Sequence, residues 1–324
     1  MKAVLCKEYG PPESLVVEDI APLQPGRGQV VVGVRACGVN FADILMIQGR
    51  YQVRPPVPFS PGFEVAGIVK EVGEDVEDVH VGSRVIAFIH WGGYAEEVVA
   101  DAATLIPMPD SMDFPTAAAF VVAYGTAHYA LTDRAQLKPG ETLLVLGAAG
   151  GVGLAAVEVG KVSGARVIAA AASDEKLAVC KQHGADDLIN YRTEDMRERI
   201  KQLTDGKGVD VAFDPVGGCY AETVLRNMAW GGRYLVIGFA AGDIPRISLN
   251  LPLLKGCAIV GVFWGQFIAR ERPRCLAYLH ELLAWFAAGK IKPLVSATYP
   301  LACASDALYA VLNRTVWGKV VLRP

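Results

Sequence analysis

The chain has 324 residues, 52% hydrophobic and 20% charged, with a formal net charge of -3. This length and balance suit an α/β protein of about two domains with a sizeable core. They argue against nucleic acid as a partner, since no basic run or face is present, and against a membrane span, since no stretch is apolar for long enough. The opening MKAVLCKEYG carries no signal-peptide pattern, so a cytoplasmic protein is expected. The seven cysteines include no C-x-x-C pair, and reduced, mostly buried thiols are expected rather than a metal cluster.

Residues 1 to about 120 read as β-rich. Gln29 to Val34, Val65 to Val72 and Ser83 to Ile89 are valine-rich runs bounded by turn residues, and Asn40 to Gln48 is a short helical candidate. Prolines 55 to 61 mark a rigid loop. From about residue 142 the rhythm changes to alternating strands and helices. Strands are expected at Thr142–Leu146, Arg166–Ala171, Asp187–Asn190, Val209–Phe213, Arg233–Ile237 and Ala258–Val262. Helices fall between them, for example Glu175–His183 and Cys219–Met228. A helix over Pro273 to Ala288 then leads to short strands ending at Trp317–Leu322, a tail expected to return to the first domain.

Leu143 to Leu146 feed the run Gly147-Ala148-Ala149-Gly150-Gly151-Val152-Gly153, and an apolar helix follows. Such a turn places unpaired N–H groups and the positive end of a helix dipole against a pyrophosphate, with glycines clearing the approach. In the G-x-G-x-x-G fingerprint Ala148 replaces the first glycine, while Gly150 and Gly153 keep the others. Ala149, Gly150, Gly151, Val152 and Gly153 are therefore cofactor-binding candidates.

The next strand ends Ala169-Ala170-Ala171-Ala172-Ser173, followed by Asp174-Glu175-Lys176. Small residues leave room for a 2′-phosphate, with Ser173 and Lys176 as its ligands, and this points to NADPH. On the competing reading Asp174 is the acid that binds the adenosine ribose, favouring NADH. The alternative account of Ser173-Asp174-Glu175 is an N-cap with first-turn acids. Ile237-Gly238-Phe239-Ala240 and Phe263-Trp264-Gly265 follow later strands and are expected to frame the nicotinamide, although Phe263 and Trp264 also suit a plain core. Thr126 is a further cofactor contact candidate, and the lone histidines His90 and His128 read as structural.

Several motifs add to this: Cys37-Gly38-Val39-Asn40-Phe41-Ala42-Asp43, Pro61-Gly62-Phe63-Glu64-Val65-Ala66-Gly67, Tyr124-Gly125-Thr126-Ala127, Asp214-Pro215-Val216-Gly217-Gly218 and Gly318-Lys319-Val320. Over nearly its whole length the chain resembles the zinc-independent quinone oxidoreductase branch of the medium-chain dehydrogenase/reductase superfamily. The resemblance implies a GroES-like β-rich catalytic domain (1–122 and 265–324) and a Rossmann doubly wound parallel-sheet domain (123–264). It implies an active site in the cleft between them and often a homodimer, here through the edge strand Ala258–Phe263. Zinc alcohol dehydrogenases of the superfamily place a zinc-binding Cys where Asn40 stands and a His where Phe63 stands, so no metal is expected.

The resemblance also assigns roles. Asn40 would bond the nicotinamide ribose or the substrate carbonyl, or else cap the helix after it. Tyr51 would donate to the acceptor oxygen, or else pack on Pro55 and Pro56. Tyr191 would join the phosphate pocket, and Arg314 and Lys319 would reach the cofactor. Leu45 replaces a second tyrosine often found in the cleft, implying a more apolar pocket. Without zinc, the expected acceptor is a small conjugated molecule, a quinone or enone, over which hydride-derived charge spreads. A rival enzyme reading is an enoyl or 2-haloacrylate type C=C reductase. A reading from another class is a nucleotide-binding regulator or crystallin-like protein with little catalysis.

Overall fold

The computed structural model describes all 324 residues. They form two compact units, Met1–Val122 with Pro293–Pro324, and Ala123–Lys292.

In the first unit the strand Gln29–Val39 is the hub, pairing antiparallel with Glu64–Val72, Glu97–Asp101 and Lys319–Arg323. Val30, Val31 and Val32 are all buried, so both of its faces are covered. The sequence pattern ends this strand at Val34. A register irregularity between Val34 and Ala36 lets it run on to Val39, as β-bulges do. The extension delivers Asn40 to the start of the helix Phe41–Ile47, whose Ile44, Met46 and Ile47 plug the core. Glu64 begins a strand opposite Gly38, and Val320 pairs with Val39. Three neighbouring strand ends thus bring Asn40, Glu64 and Lys319 together.

The second unit holds a six-stranded parallel sheet of β1 (Thr142–Leu146), β2 (Arg166–Ala171), β3 (Asp187–Asn190), β4 (Val209–Asp214), β5 (Met228–Val236) and β6 (Ala258–Gly261). Its order is β3-β2-β1-β4-β5-β6, the doubly wound arrangement that binds ligands where the order reverses, between β1 and β4. The connecting helices are α1 (Gly151–Val162), α2 (Asp174–Gln182), α3 (Met196–Leu203), α4 (Tyr220–Arg226) and α5 (Asn250–Lys255). The central strand β1 is apolar from Leu143 to Leu146, all fully buried, as expected of a strand covered on both faces.

Two further helices, α6 (Trp264–Arg270) and α7 (Arg272–Ala287), also belong to this unit. The sequence reading divides the chain at 265; the compact units divide it after Lys292. The reason is packing. Phe267 stacks on Tyr129 with ring centroids 4.2 Å apart, Glu281 bonds His128 at 3.0 Å, and Arg274 bonds Asp133 at 2.6 Å. Together these contacts fasten α6 and α7 to residues 128–134.

Candidate functional site

The β1–α1 turn is built for close approach. Gly147 adopts φ +56°, and a Cβ on Gly153 would lie 2.3 Å from the Gly147 carbonyl oxygen. A side chain at either position would strain or block the turn. Gly150 precedes α1 in an extended conformation with no side chain to cap the helix, so the first N–H groups of α1 are available to an anion. The Ala148 N–H donates to the Ala170 carbonyl at 3.1 Å, seating the turn on the end of β2.

Beside it, β4 ends in a second turn. The Asp214 carboxylate accepts from the N–H groups of Val216 (2.7 Å) and Gly217 (2.8 Å) and from the Tyr234 hydroxyl. Burial pushes the Tyr234 phenol upward, helped by the Asp214 charge. The N–H groups of Ile237 and Ala240 donate to the carbonyls of Asp214 and Pro215. A Cβ on Gly147 would meet the Val216 side chain at 2.9 Å. The structure thus brings the glycine turn and the Ile237-Gly238-Phe239-Ala240 loop together at the switch point. Trp264 is buried against Gly125, next to Thr126, whereas Phe263 is exposed.

At the ends of β2 and β3, Ser173 caps α2 by accepting the Lys176 N–H at 3.4 Å. The Tyr191 N–H donates to the Ala171 carbonyl at 3.2 Å, and the Tyr191 ring packs on Tyr220 at 4.7 Å. Ser173, Lys176 and Tyr191 therefore gather at one corner. The Asp174 carboxylate accepts from Asn190 Nδ2 at 2.8 Å.

The first unit holds a buried polar knot. The Lys319 ammonium donates to Glu64 Oε1 (2.8 Å), Asn40 Oδ1 (2.6 Å) and the Val39 carbonyl (3.1 Å). Asn40 Nδ2 donates to Glu64 Oε1 at 3.1 Å, and the Val122 N–H donates to Glu64 Oε2 at 2.9 Å. Next to it, Asp43 accepts from the N–H groups of Asn40 (2.8 Å) and Gly62 (3.1 Å) and from the Tyr94 hydroxyl (3.0 Å). Complete burial lifts the Asp43 carboxyl from 3.8 to about 7, and these hydrogen bonds limit the rise. The Tyr51 ring meets Phe63 edge-on, centroids 5.4 Å apart, and burial raises its phenol.

This geometry gives three of the candidates neighbours that their sequence positions do not reveal. The Asn40 amide bonds Glu64 through Nδ2 and Lys319 through Oδ1. The Lys319 ammonium has three acceptors inside its own unit, Glu64, Asn40 and the Val39 carbonyl, and braces Asn40. Tyr51 packs on Phe63; the Pro55 carbonyl serves Tyr9 at 2.8 Å. Arg314 lies in the first unit in a left-handed conformation, φ +56°, just after the helix Ala304–Leu312.

Sequence reasoning missed the buried carboxylates Asp43, Glu64, Asp214 and Glu158. The last, in α1, accepts from the Tyr124 hydroxyl and His183 Nδ1, each at 2.6 Å, and from the Lys292 N–H at 3.0 Å. A signal was present: each interrupts an apolar string, and a carboxylate buried there must be paired.

The donor set in the first unit suits a metal poorly. Tetrahedral zinc takes thiolate and imidazole ligands, but here an ammonium group sits among amide, carbonyl and carboxylate oxygens. No group of three or more His, Cys, Asp or Glu is arranged to hold a metal ion.

Residues 26–110 match the family described as "Alcohol dehydrogenase GroES-like domain", and residues 151–283 match "Zinc-binding dehydrogenase". The chain is 41% identical over 325 residues to "Quinone oxidoreductase-like protein 2 homolog" of Nematostella vectensis, covering 99% of this chain and 88% of that one. Among solved structures, the quinone oxidoreductase of Escherichia coli complexed with NADPH superposes with a TM-score of 0.93 at 31% identity, covering 100% of both chains. A mycobacterial protein complexed with NADPH gives 0.94 at 32% identity, again over 100% of both.

Proposed function

Because the chain belongs to the quinone oxidoreductase-like branch of the medium-chain dehydrogenase/reductase superfamily, we propose that it is an NADPH-dependent reductase of a conjugated acceptor, a quinone or an enone. The observation that carries the reading is the tight Gly147–Gly153 turn, which leaves the first N–H groups of α1 with no side-chain cap, at the switch point of a doubly wound sheet. The fit to NADPH rests on this cradle together with the corner at the ends of β2 and β3.

In this reading the N–H groups of Gly151, Val152 and Gly153 hold the pyrophosphate, with Ala149 and Gly150 clearing its path. Ser173, Lys176 and Tyr191 hold the 2′-phosphate. The Ile237–Ala240 loop, the Phe263-Trp264-Gly265 segment and Thr126 border the nicotinamide. Bound NADPH supplies the hydride. The Tyr51 hydroxyl donates a hydrogen bond to the acceptor oxygen, and Asn40, fixed by Glu64 and Lys319, shapes the same surface. Zinc has no part in it, because the donor set does not fit and Lys319 already supplies the cation. A conjugated acceptor spreads its developing charge, so hydrogen-bond donors suffice.

The test is steady-state oxidation of NADPH by the purified protein with a panel of quinones, enones and acrylates. Turnover of quinones or enones is expected; tight NADPH binding with no turnover of any acceptor would instead mark a nucleotide-binding or structural protein. A preference for acrylates would select the C=C reductase reading, with which the apolar, half-buried Leu45 agrees.

The same reading includes a homodimer. β6 is an edge strand with Ile259 exposed, and Trp230 (84% exposed), Leu249 and Leu253 enlarge the apolar surface of this unit. Exposed edges and patches of this kind commonly pair with a second copy. No helix is long and apolar enough to cross a membrane.

A further inference from the structure

We propose that Asn190 sets the cofactor preference, by holding the Asp174 carboxylate away from the place where an adenosine ribose would bind. The inference rests on the NADPH reading above. Asn190 is the last residue of β3 and pairs in register with Ala171, the last residue of β2. It therefore stands at the strand end where a doubly wound fold recognises the ribose. Only 7% of its surface is exposed.

Its amide is fixed in one orientation. Asn190 Oδ1 accepts from the Arg192 N–H at 3.2 Å, and the Asn190 backbone N–H donates to Glu194 Oε2 at 2.7 Å. With Oδ1 so used, Nδ2 is left to face Asp174 Oδ1, and it donates there at 2.8 Å. A flipped amide would set a carbonyl oxygen against the carboxylate and lose the Arg192 bond as well. Asp174 is the first carboxylate after β2. Free to turn, it has the chemistry to accept from the 2′ and 3′ hydroxyls of NADH and to repel the 2′-phosphate of NADPH. Tied to Asn190 by a charge-assisted bond, it has its Oδ1 engaged and withheld from the ribose hydroxyls. The acid that would make this chain an NADH enzyme is present and sequestered by a residue 16 positions later.

The test is the ratio of kcat/KM for NADPH to kcat/KM for NADH. Asn190→Ala releases Asp174 and should lower the ratio about tenfold, the scale of a lost charge-assisted hydrogen bond. The change should fall mainly on KM. The double variant Asn190→Ala with Asp174→Ala should return the ratio to the wild-type value; general damage to the corner would not be reversed by a second truncation. If Asn190→Ala folds poorly, Asp174→Ala alone still decides: kcat/KM for NADH should stay within about twofold of wild type, because the held carboxylate makes no ribose contact. A tenfold loss for NADH in Asp174→Ala, or an unmoved ratio in folded Asn190→Ala, overturns the proposal. A wild-type protein that prefers NADH overturns the NADPH reading itself. A wild type that prefers NADPH, with an unmoved ratio in the variant, overturns only the role of Asn190.

Discussion

The glycine turn of the second unit and the polar knot of the first are built in opposite ways. The turn is backbone: its conformation depends on the absence of a side chain at Gly147 and Gly153, within a run of seven residues. The knot is side chain: Glu64 and Lys319 meet across 255 positions and bury opposite charges with Asn40 between them. A local backbone site is specified by spacing, and substitution acts on it by steric collision. A long-range knot is specified by strand register, and substitution acts on it by leaving a charge without its partner.

The contrast predicts separable damage. The largest effect on cofactor affinity is expected for Gly153→Val, whose side chain would collide with the Gly147 carbonyl. NADPH affinity by fluorescence titration should fall at least about 100-fold, a loss of roughly 3 kcal/mol at the upper end of overpacking costs. Near-normal binding would remove the turn from the site.

Next comes Lys319→Met, which leaves Glu64 charged and buried. Removing one partner of such a pair costs about 3–5 kcal/mol, read by urea unfolding. Adding Glu64→Gln should recover part of the loss. NADPH affinity should change by less than about threefold, since a shift of that size is only about 0.65 kcal/mol. A large loss of affinity at intact stability would restore Lys319 as a cofactor ligand.

Asp43 gives a smaller, pH-dependent effect. Its folded pKa of about 7 lies above the ordinary 3.8, so the folded state binds more protons between these values. Its contribution is therefore fully present below about pH 4 and is lost as pH rises through 7, by one to a few kcal/mol in all. Asp43→Asn should flatten the fall in stability between pH 5 and 8; an unchanged slope would show that Asp43 is not the group that titrates.

The smallest effect on catalysis is expected for Ile259→Lys on the β6 edge. It should convert a dimer to monomers by light scattering while kcat changes less than about twofold, a charge on an edge strand being a common block to pairing. A wild-type monomer would remove this interface.

The same contrast explains how much was legible in the sequence. Alternating apolar runs placed β1 to β3 at their observed bounds, because buried parallel strands read as continuous Val, Leu, Ile and Ala. The glycine turn was legible for the reason that makes it work. The short strands Lys2–Leu5 and Glu97–Asp101 were missed, since each pairs with a partner that no local pattern reveals. The ownership of α6 and α7 was misjudged because an amphipathic helix shows that it packs, not against what. Asn40 was singled out as a site candidate, but its partners Glu64 and Lys319 lie 24 and 279 residues away, and no local pattern reveals them.

The central claim is that the cradle of the second unit delivers NADPH for reduction of a conjugated acceptor. Its most direct test is kcat/KM for NADPH and for NADH with one quinone acceptor and the purified wild-type protein. The account predicts quinone-dependent oxidation with NADPH favoured by about tenfold or more, the scale of one charge-assisted phosphate contact. A preference for NADH, or no quinone-dependent oxidation of NADPH, would contradict it.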